Sequence, residues 1–382
     1  MKYFLKSMMI TLMIGIPLIL GLTAYLVLNR KFEVPETIST ESIQETPADS
    51  MAEETPVVEE EFSEAVSSDT AALTVSSVTL SFAGDVHFSE LVLQKYDNSG
   101  ITAIADEEMI SHMQNADLFL LNHEFVFSSR GEAMEDKQYT LRTDPKYVKI
   151  LQELGADAVG IANNHILDFG QEAFLDTLKT LENAEIPYVG GGHNKEEALS
   201  PYVQTINGQS FAIFAATRVS PTAAWYAGSS KPGILQTYDA ADLNKAIADA
   251  DSKYDHIIVY AHWGVERAVM PEEYQRTLAK GYIDAGADLV IGAHPHVLQG
   301  FEFYKDVPIC YSLGNYLFGN RTGETLLLNA VFNESGDLSI QLIPCERVNG
   351  VLKEIQDPER LFDELTNLSF DAAITSSGTL IP

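Results

Sequence analysis

Cysteine is nearly absent: Cys310 and Cys345 are the only two thiols in 382 residues. That count offers no cysteine-ligated metal site. Each thiol lies near the end of an apolar, strand-like run. Export could oxidise the pair to a disulfide, and two small buried hydrophobes are an equal reading. Basic residues are scarce as well. With 24 Lys and Arg against 55 Asp and Glu, the formal net charge is -31. Such a surface repels a phosphate backbone, which argues against nucleic acid as a partner. An anionic substrate then needs a local positive centre.

Between residues 32 and 76 basic residues are missing altogether, while 12 acidic ones are present. The stretch is rich in Glu, Ser, Thr and Pro and has no sustained amphipathic period, so it cannot bury enough apolar surface to order itself. It reads as an acidic disordered linker. Before it, charge of either sign is missing from Ser7 to Asn29, with Lys2 and Lys6 ahead and Arg30-Lys31 behind. At 1.5 Å per residue this run can cross a hydrocarbon core of roughly 30 Å. It is longer than a usual signal-peptide core, and no clear A-x-A cleavage site follows. An uncleaved anchor over residues 1–31 is therefore expected, single-pass, with the remainder outside the cytoplasm.

The chain is 46% hydrophobic, enough for a substantial core. From Val78 onward short apolar runs alternate with helical patterns, the signature of α/β architecture. Helices are expected at 102–115, 145–154, 170–184, 240–251 and 271–285. The domain is expected to run from 77 to 349, followed by an extension over 350–382 with a helix at 357–368.

Five strands end alike: VTLSFAGDVH, ADLFLLNHE, ADAVGIANNH, DHIIVYAHWGVE and ADLVIGAHPH. Each delivers Asp, Glu, Asn or His at its carboxyl end, where parallel α/β sheets bind their ligands. The candidates are Asp85, His87, Glu124, Asn164, His165, His262, His294 and His296. Within H-x-H, residues two apart on an extended chain project to the same side, so His294 and His296 can converge. Nitrogen and oxygen donors without thiolate suit Zn, Mn or Fe. So many donors favour two divalent ions, with Glu124 able to bridge them. Of Asn163 and Asn164, one is expected to serve the backbone. His112, His123, His193 and His256 have no partner at ligand spacing. GGGHN at 190–194 lacks the lysine and helix of a phosphate-binding loop. Arg142 is the first choice for a substrate anion, ahead of Arg218 and Arg267, and Asn315 is placed on the cleft wall.

The order D-x-H, an acidic residue, N-H, H, then H-x-H resembles the calcineurin-like metallophosphoesterases. More closely, FAGDVHFSE, NHEFVFS, ANNHILDFG, AHWGVE, GAHPHVLQG and YSLGNYLFG resemble the CapA family of capsule biosynthesis proteins, associated with poly-γ-glutamate. The resemblance covers about residues 78–320. It implies a four-layer αββα sandwich of metallophosphoesterase type with a dinuclear site. Asp85, His87, Glu124 and His296 would hold one ion, and Glu124, Asn164, His262 and His294 the other. His165 would protonate a leaving group, with Asp168 orienting it and Glu266 assisting as a proton carrier or support. Three positions depart from the phosphoesterase pattern: Glu124 stands for aspartate, Ile166 follows His165, and Glu266 follows the His262 motif. With the anchor read above, the resemblance implies a membrane-anchored protein of poly-γ-glutamate or related cell-surface polymer production, a hydrolase or transferase acting on an anionic polymer or a phosphate ester. Two alternatives stand open: a non-catalytic subunit that holds or exports the polymer alongside a membrane synthetase, and a secreted phosphoesterase.

Overall fold

Strand β1, Val78–His87, is buried along almost its whole length, as a parallel strand covered on both faces must be. The computed structural model describes residues 76–319 and 322–382. Parallel strands β2 (Leu118–His123), β3 (Ala158–Gly160) and β4 (Tyr188–Val189) follow β1 in order within the first sheet. The second sheet contains β5 (Tyr202–Ile206), β6 (Gln209–Thr217), β7 (His256–His262), β8 (Leu289–Ala293), β9 (Phe301–Tyr304) and β10 (Val307–Cys310). Its order is β9-β10-β8-β7-β6-β5, with β6, β7, β8 and β10 parallel. The chain then returns to the first sheet. There β11 (Asn315–Phe318) pairs with the end of β1, and β12 (Gly323–Phe332) and β13 (Leu338–Val348) extend the sheet antiparallel.

Side chains alternating across these strands build three apolar layers. Leu80, Phe82, Leu120, Ile213, Ile258 and Ile291 fill the space between the two sheets. On the outer face of the first sheet, Phe119 and Leu121 pack under helices α1 (Glu90–Ser99), α2 (Glu107–Gln114), α3 (Val148–Leu154) and α4 (Gly170–Asn183). On the outer face of the second, Phe214 and Val259 pack under α5 (Ala241–Asp251) and α6 (Glu273–Asp284). The order of layers is helix, sheet, sheet, helix, as expected.

Two sequence expectations need revision. Helix α1 was not anticipated; only Val92 and Tyr96 are buried on it, too thin an apolar stripe to stand out. The extension over 350–382 is not appended to a domain ending at 349. Strand β14 (Val351–Glu354) closes a hairpin on β13, helix α7 (Glu359–Leu368) sends Leu361, Phe362 and Leu365 into the intersheet core, and β16 (Thr379–Ile381), after β15 (Ala373–Ile374), pairs with β13. The anchor expected over 1–31 and all but the last residue of the linker expected over 32–76 lie outside the described residues. Among the described residues no helix is long and apolar enough to cross a membrane. Cys310 and Cys345 are free, buried thiols.

Candidate metal centre

The site begins at a bulge. The register of β1 shifts at Asp85 against both β2 and β11, which re-aims a side chain at the end of a strand. Gly84 permits this: a Cβ there would lie 1.9 Å from the Gly314 carbonyl oxygen. Asp85 N–H donates to that carbonyl at 2.9 Å, and the carboxylate turns inward, fully buried. One strand over, Asn122 is the hub. Its amide donates to Asp85 at 2.7 Å and to Glu124 at 3.3 Å, and sits 3.2 Å from His262 Nδ1.

Asn163 and Asn164 divide their work as expected. Asn163 Oδ1 accepts from the His165 and Ile166 N–H groups, while its amide donates to Asn122 and to the His123 carbonyl. Asn164 instead points its Oδ1 at His262 Nε2, 2.8 Å away.

His294 and His296 arrive by a different route from the one their spacing suggested. Strand β8 stops at Ala293, and both histidines have positive φ, 95° and 60°. They converge by left-handed backbone rather than by extended alternation. Non-glycine residues pay about 1–2 kcal/mol for such conformations, which therefore concentrate at functional sites. The His294 N–H donates to Asp85, and His296 Nδ1 lies 3.1 Å from Asp85 and 2.8 Å from Asn315 Oδ1.

Among the described residues two groups of three donors result, Glu124 with His262 and His294, and Asp85 with Glu124 and His296; within each group the ligand atoms lie within 4.8 Å of one another. Glu124 belongs to both. Its Oε1 and the Nδ1 of His294 are buried without a hydrogen-bond partner among the described residues. Such orphans are costly in an apolar interior, and two of them aimed into one cluster fit a cation. Protonation states agree. Burial drives His262 well below its ordinary range and His294 to about 3, with the neighbouring imidazoles adding to the effect. Both therefore keep the lone pair a metal requires. Burial also pushes against ionised Asp85, but its hydrogen bond to His296 and the nearby histidines hold it well below the carboxylate range. Glu124 is raised by burial and by Asp85, the state a bound cation would reverse.

Beside the cluster, His165 Nδ1 lies 2.6 Å from Asp168 Oδ2. The buried Asp168 also accepts from Lys137 and from the Leu141 N–H. A cavity of about 710 Å³ opens here, with His87, His165, Glu266, His296 and Asn315 on its wall. His87 is in neither three-donor group; its ring packs 5.4 Å from that of Phe318 and 5.7 Å from that of Phe125. Glu266 is exposed on the wall. Arg142 is directed elsewhere: its guanidinium donates to the Arg130 and Gly131 carbonyls and stacks 3.5 Å from the Phe169 ring. Arg218 lies 3.6 Å over Tyr238. Of the histidines left aside, His112, His193 and His256 bond to Glu354, Glu197 and Gln209, and His123 is sealed between Phe125 and Phe127. Sequence reasoning missed Asn122, although it stands in the quoted LNHE. It also missed Lys137 and Arg347, which arrive from a loop and from β13 with no local motif.

The profile of a family described as "Bacterial capsule synthesis protein PGA_cap" matches residues 79–320. The chain belongs to this family. Among the relatives of this PGA_cap protein, Capsule biosynthesis protein CapA of Bacillus anthracis is 29% identical over 311 residues, covering 78% of this chain and 75% of that one. PGA biosynthesis protein CapA of Bacillus subtilis is 28% identical over 282 residues, covering 70% and 71%. A solved structure titled as a novel phosphatase from Mycoplasma pneumoniae overlaps 72% of this chain and 95% of its own at 12% identity and a TM-score of 0.46. All the metal-donor candidates fall within the matched residues, whereas Arg347 lies beyond them.

Proposed function

We propose that this PGA_cap protein is a metal-dependent hydrolase or transferase of metallophosphoesterase type, acting outside the cell membrane in the production of poly-γ-glutamate or a related anionic polymer. The observation that carries the reading is the pair of three-donor groups sharing Glu124, with orphaned acceptors on Glu124 and His294. Asp85, Glu124 and His296 would hold one divalent ion, and Glu124, Asn164, His262 and His294 the second. Donors of nitrogen and oxygen without thiolate suit Mn, Zn or Fe. Such a pair, when bound, supplies Lewis acidity and makes water nucleophilic near neutral pH.

The chain's own groups do the rest. Asn122 fixes the two carboxylates relative to each other. His165 carries a proton at Nε2 toward the leaving atom, while Asp168 at Nδ1 selects the tautomer and steadies the imidazolium. Lys137 anchors Asp168. In the same reading the N-terminal 31 residues tether the domain beside a membrane synthetase.

Metal analysis of the full chain tests the assignment. About two equivalents of Mn, Zn or Fe in the wild type, falling in His294→Ala, support it. Full-length protein that retains no transition metal after loading contradicts it. Release of glutamate from γ-glutamyl oligomers, set against turnover of a generic phosphodiester, then separates polymer chemistry from a plain phosphoesterase.

A further inference from the structure

Arg347, on β13, is 5% exposed. A guanidinium buried that deeply normally meets a carboxylate; Arg276, for comparison, forks onto Glu302 at 2.8 and 3.0 Å. Arg347 makes no ion pair among the described residues. It donates to the Phe318 carbonyl, and its Nε is buried with no partner among the described residues. Two acids on the same cavity wall are engaged elsewhere: Glu324 and Glu364 both pair with Arg360. Gly323, opposite Arg347 in the β12–β13 ladder, makes room, since a Cβ there would come within 2.9 Å of a guanidinium nitrogen. Burial lowers the group only to about 10, so it stays charged at neutral pH. The cavity it lines is the one walled by His87, His165 and His296.

We infer that Arg347 is an anion-binding residue of the substrate cavity, taking a carboxylate or phosphate group of the ligand through its own guanidinium rather than through the metal-donor residues. The ligand class is an acyl or phosphoryl compound bearing a second anionic group. In a γ-linked glutamyl chain that group is the free α-carboxylate of a residue next to the reacting bond. The planar fork of arginine suits two oxygens of one oxyanion. The inference deepens the function proposed above and rests on it only for which end of the ligand reacts.

Calorimetric titration of the full chain decides it, with γ-glutamyl-glutamate and inorganic phosphate as separate probes, against wild type, Arg347→Met and Arg347→Lys. Affinity for at least one probe is expected to fall about tenfold or more in the Met variant, and that probe names the anion. The Met variant is expected to melt at or above the wild-type temperature, because an apolar chain replaces an unpaired buried charge. Equal affinity for both probes in wild type and Met variant overturns the inference, as does a strongly lowered melting temperature with binding unchanged. If the Met variant does not fold, the Lys variant decides. It keeps the charge without the fork, so weakened binding supports the assignment and unchanged affinity refutes it. Repeating the titration after chelation separates the two proposals: dependence on Arg347 persists without metal, and if the metal assignment alone fails, metal loading alters no affinity.

Discussion

The metal-donor cluster and the buried arginine on the neighbouring cavity wall are built on opposite plans. In the cluster, Asp85, Glu124, His262, His294 and His296 come from the ends of parallel strands in both sheets, and Asn122 ties three of them together. Arg347 comes from an antiparallel strand and has a carbonyl as its sole polar partner among the described residues. The first is a network of residues that need one another. The second is a single charge that needs a ligand. A network should resist substitution poorly and in a correlated way, whereas a lone unpaired charge should be removable with little damage to the fold.

The sharpest way to break this comparison is Glu124→Ala. Because Glu124 belongs to both donor groups, its loss should empty both and lower turnover by at least ~10³-fold, while Arg347→Met leaves the metal content of the same preparation unchanged. Metal content that responds equally to the two substitutions would erase the distinction. Next in size is His165→Asn, expected to keep the metals and lower turnover about 10²- to 10⁴-fold. Asn122→Ala should cost ~1–3 kcal/mol of stability, since it strips donors from buried Asp85 and Glu124. Urea unfolding would measure this, and a change below ~0.5 kcal/mol would show that the hub is not a hub.

The last test is of pH. Burial lowers His87 to about 4 and His123 to about 3, and His294 to about 3. Unfolded histidine titrates near ~6.5. Between that value and the folded ones the unfolded chain binds more protons, so stability is full above about pH 6.5 and falls as the solution is acidified. Each histidine adds up to ~1.4 kcal/mol per pH unit in that window. Denaturant midpoints of chelated protein at pH 7 and pH 5 read this directly. A midpoint that rises on acidification would reverse the sign.

The same contrast explains what was legible in the sequence. Asp85, Glu124 and His262 each close an apolar run of the right length, so strand and donor were readable together from one local pattern. The helices at 170–183, 241–251 and 273–284 were readable for the same reason, and their ends fell within two residues of expectation. The H-x-H pair was found by its spacing, although the left-handed backbone that brings both rings to the cluster was not visible in it. Arg142 was favoured because it lies in sequence between donor strands, yet Phe169 and two carbonyls hold it. Lys137 and Arg347 reach the cavity through tertiary packing, which leaves no periodic trace. Residues 350–382 read as a tail because the partners of α7 and β16 lie far back in the chain.

Anomalous diffraction from crystals of the full chain grown with Mn tests the central claim most directly. The account requires two peaks about 3.5–4 Å apart, one on each side of the Glu124 carboxylate. A single peak, or peaks that leave Glu124 untouched, would contradict it.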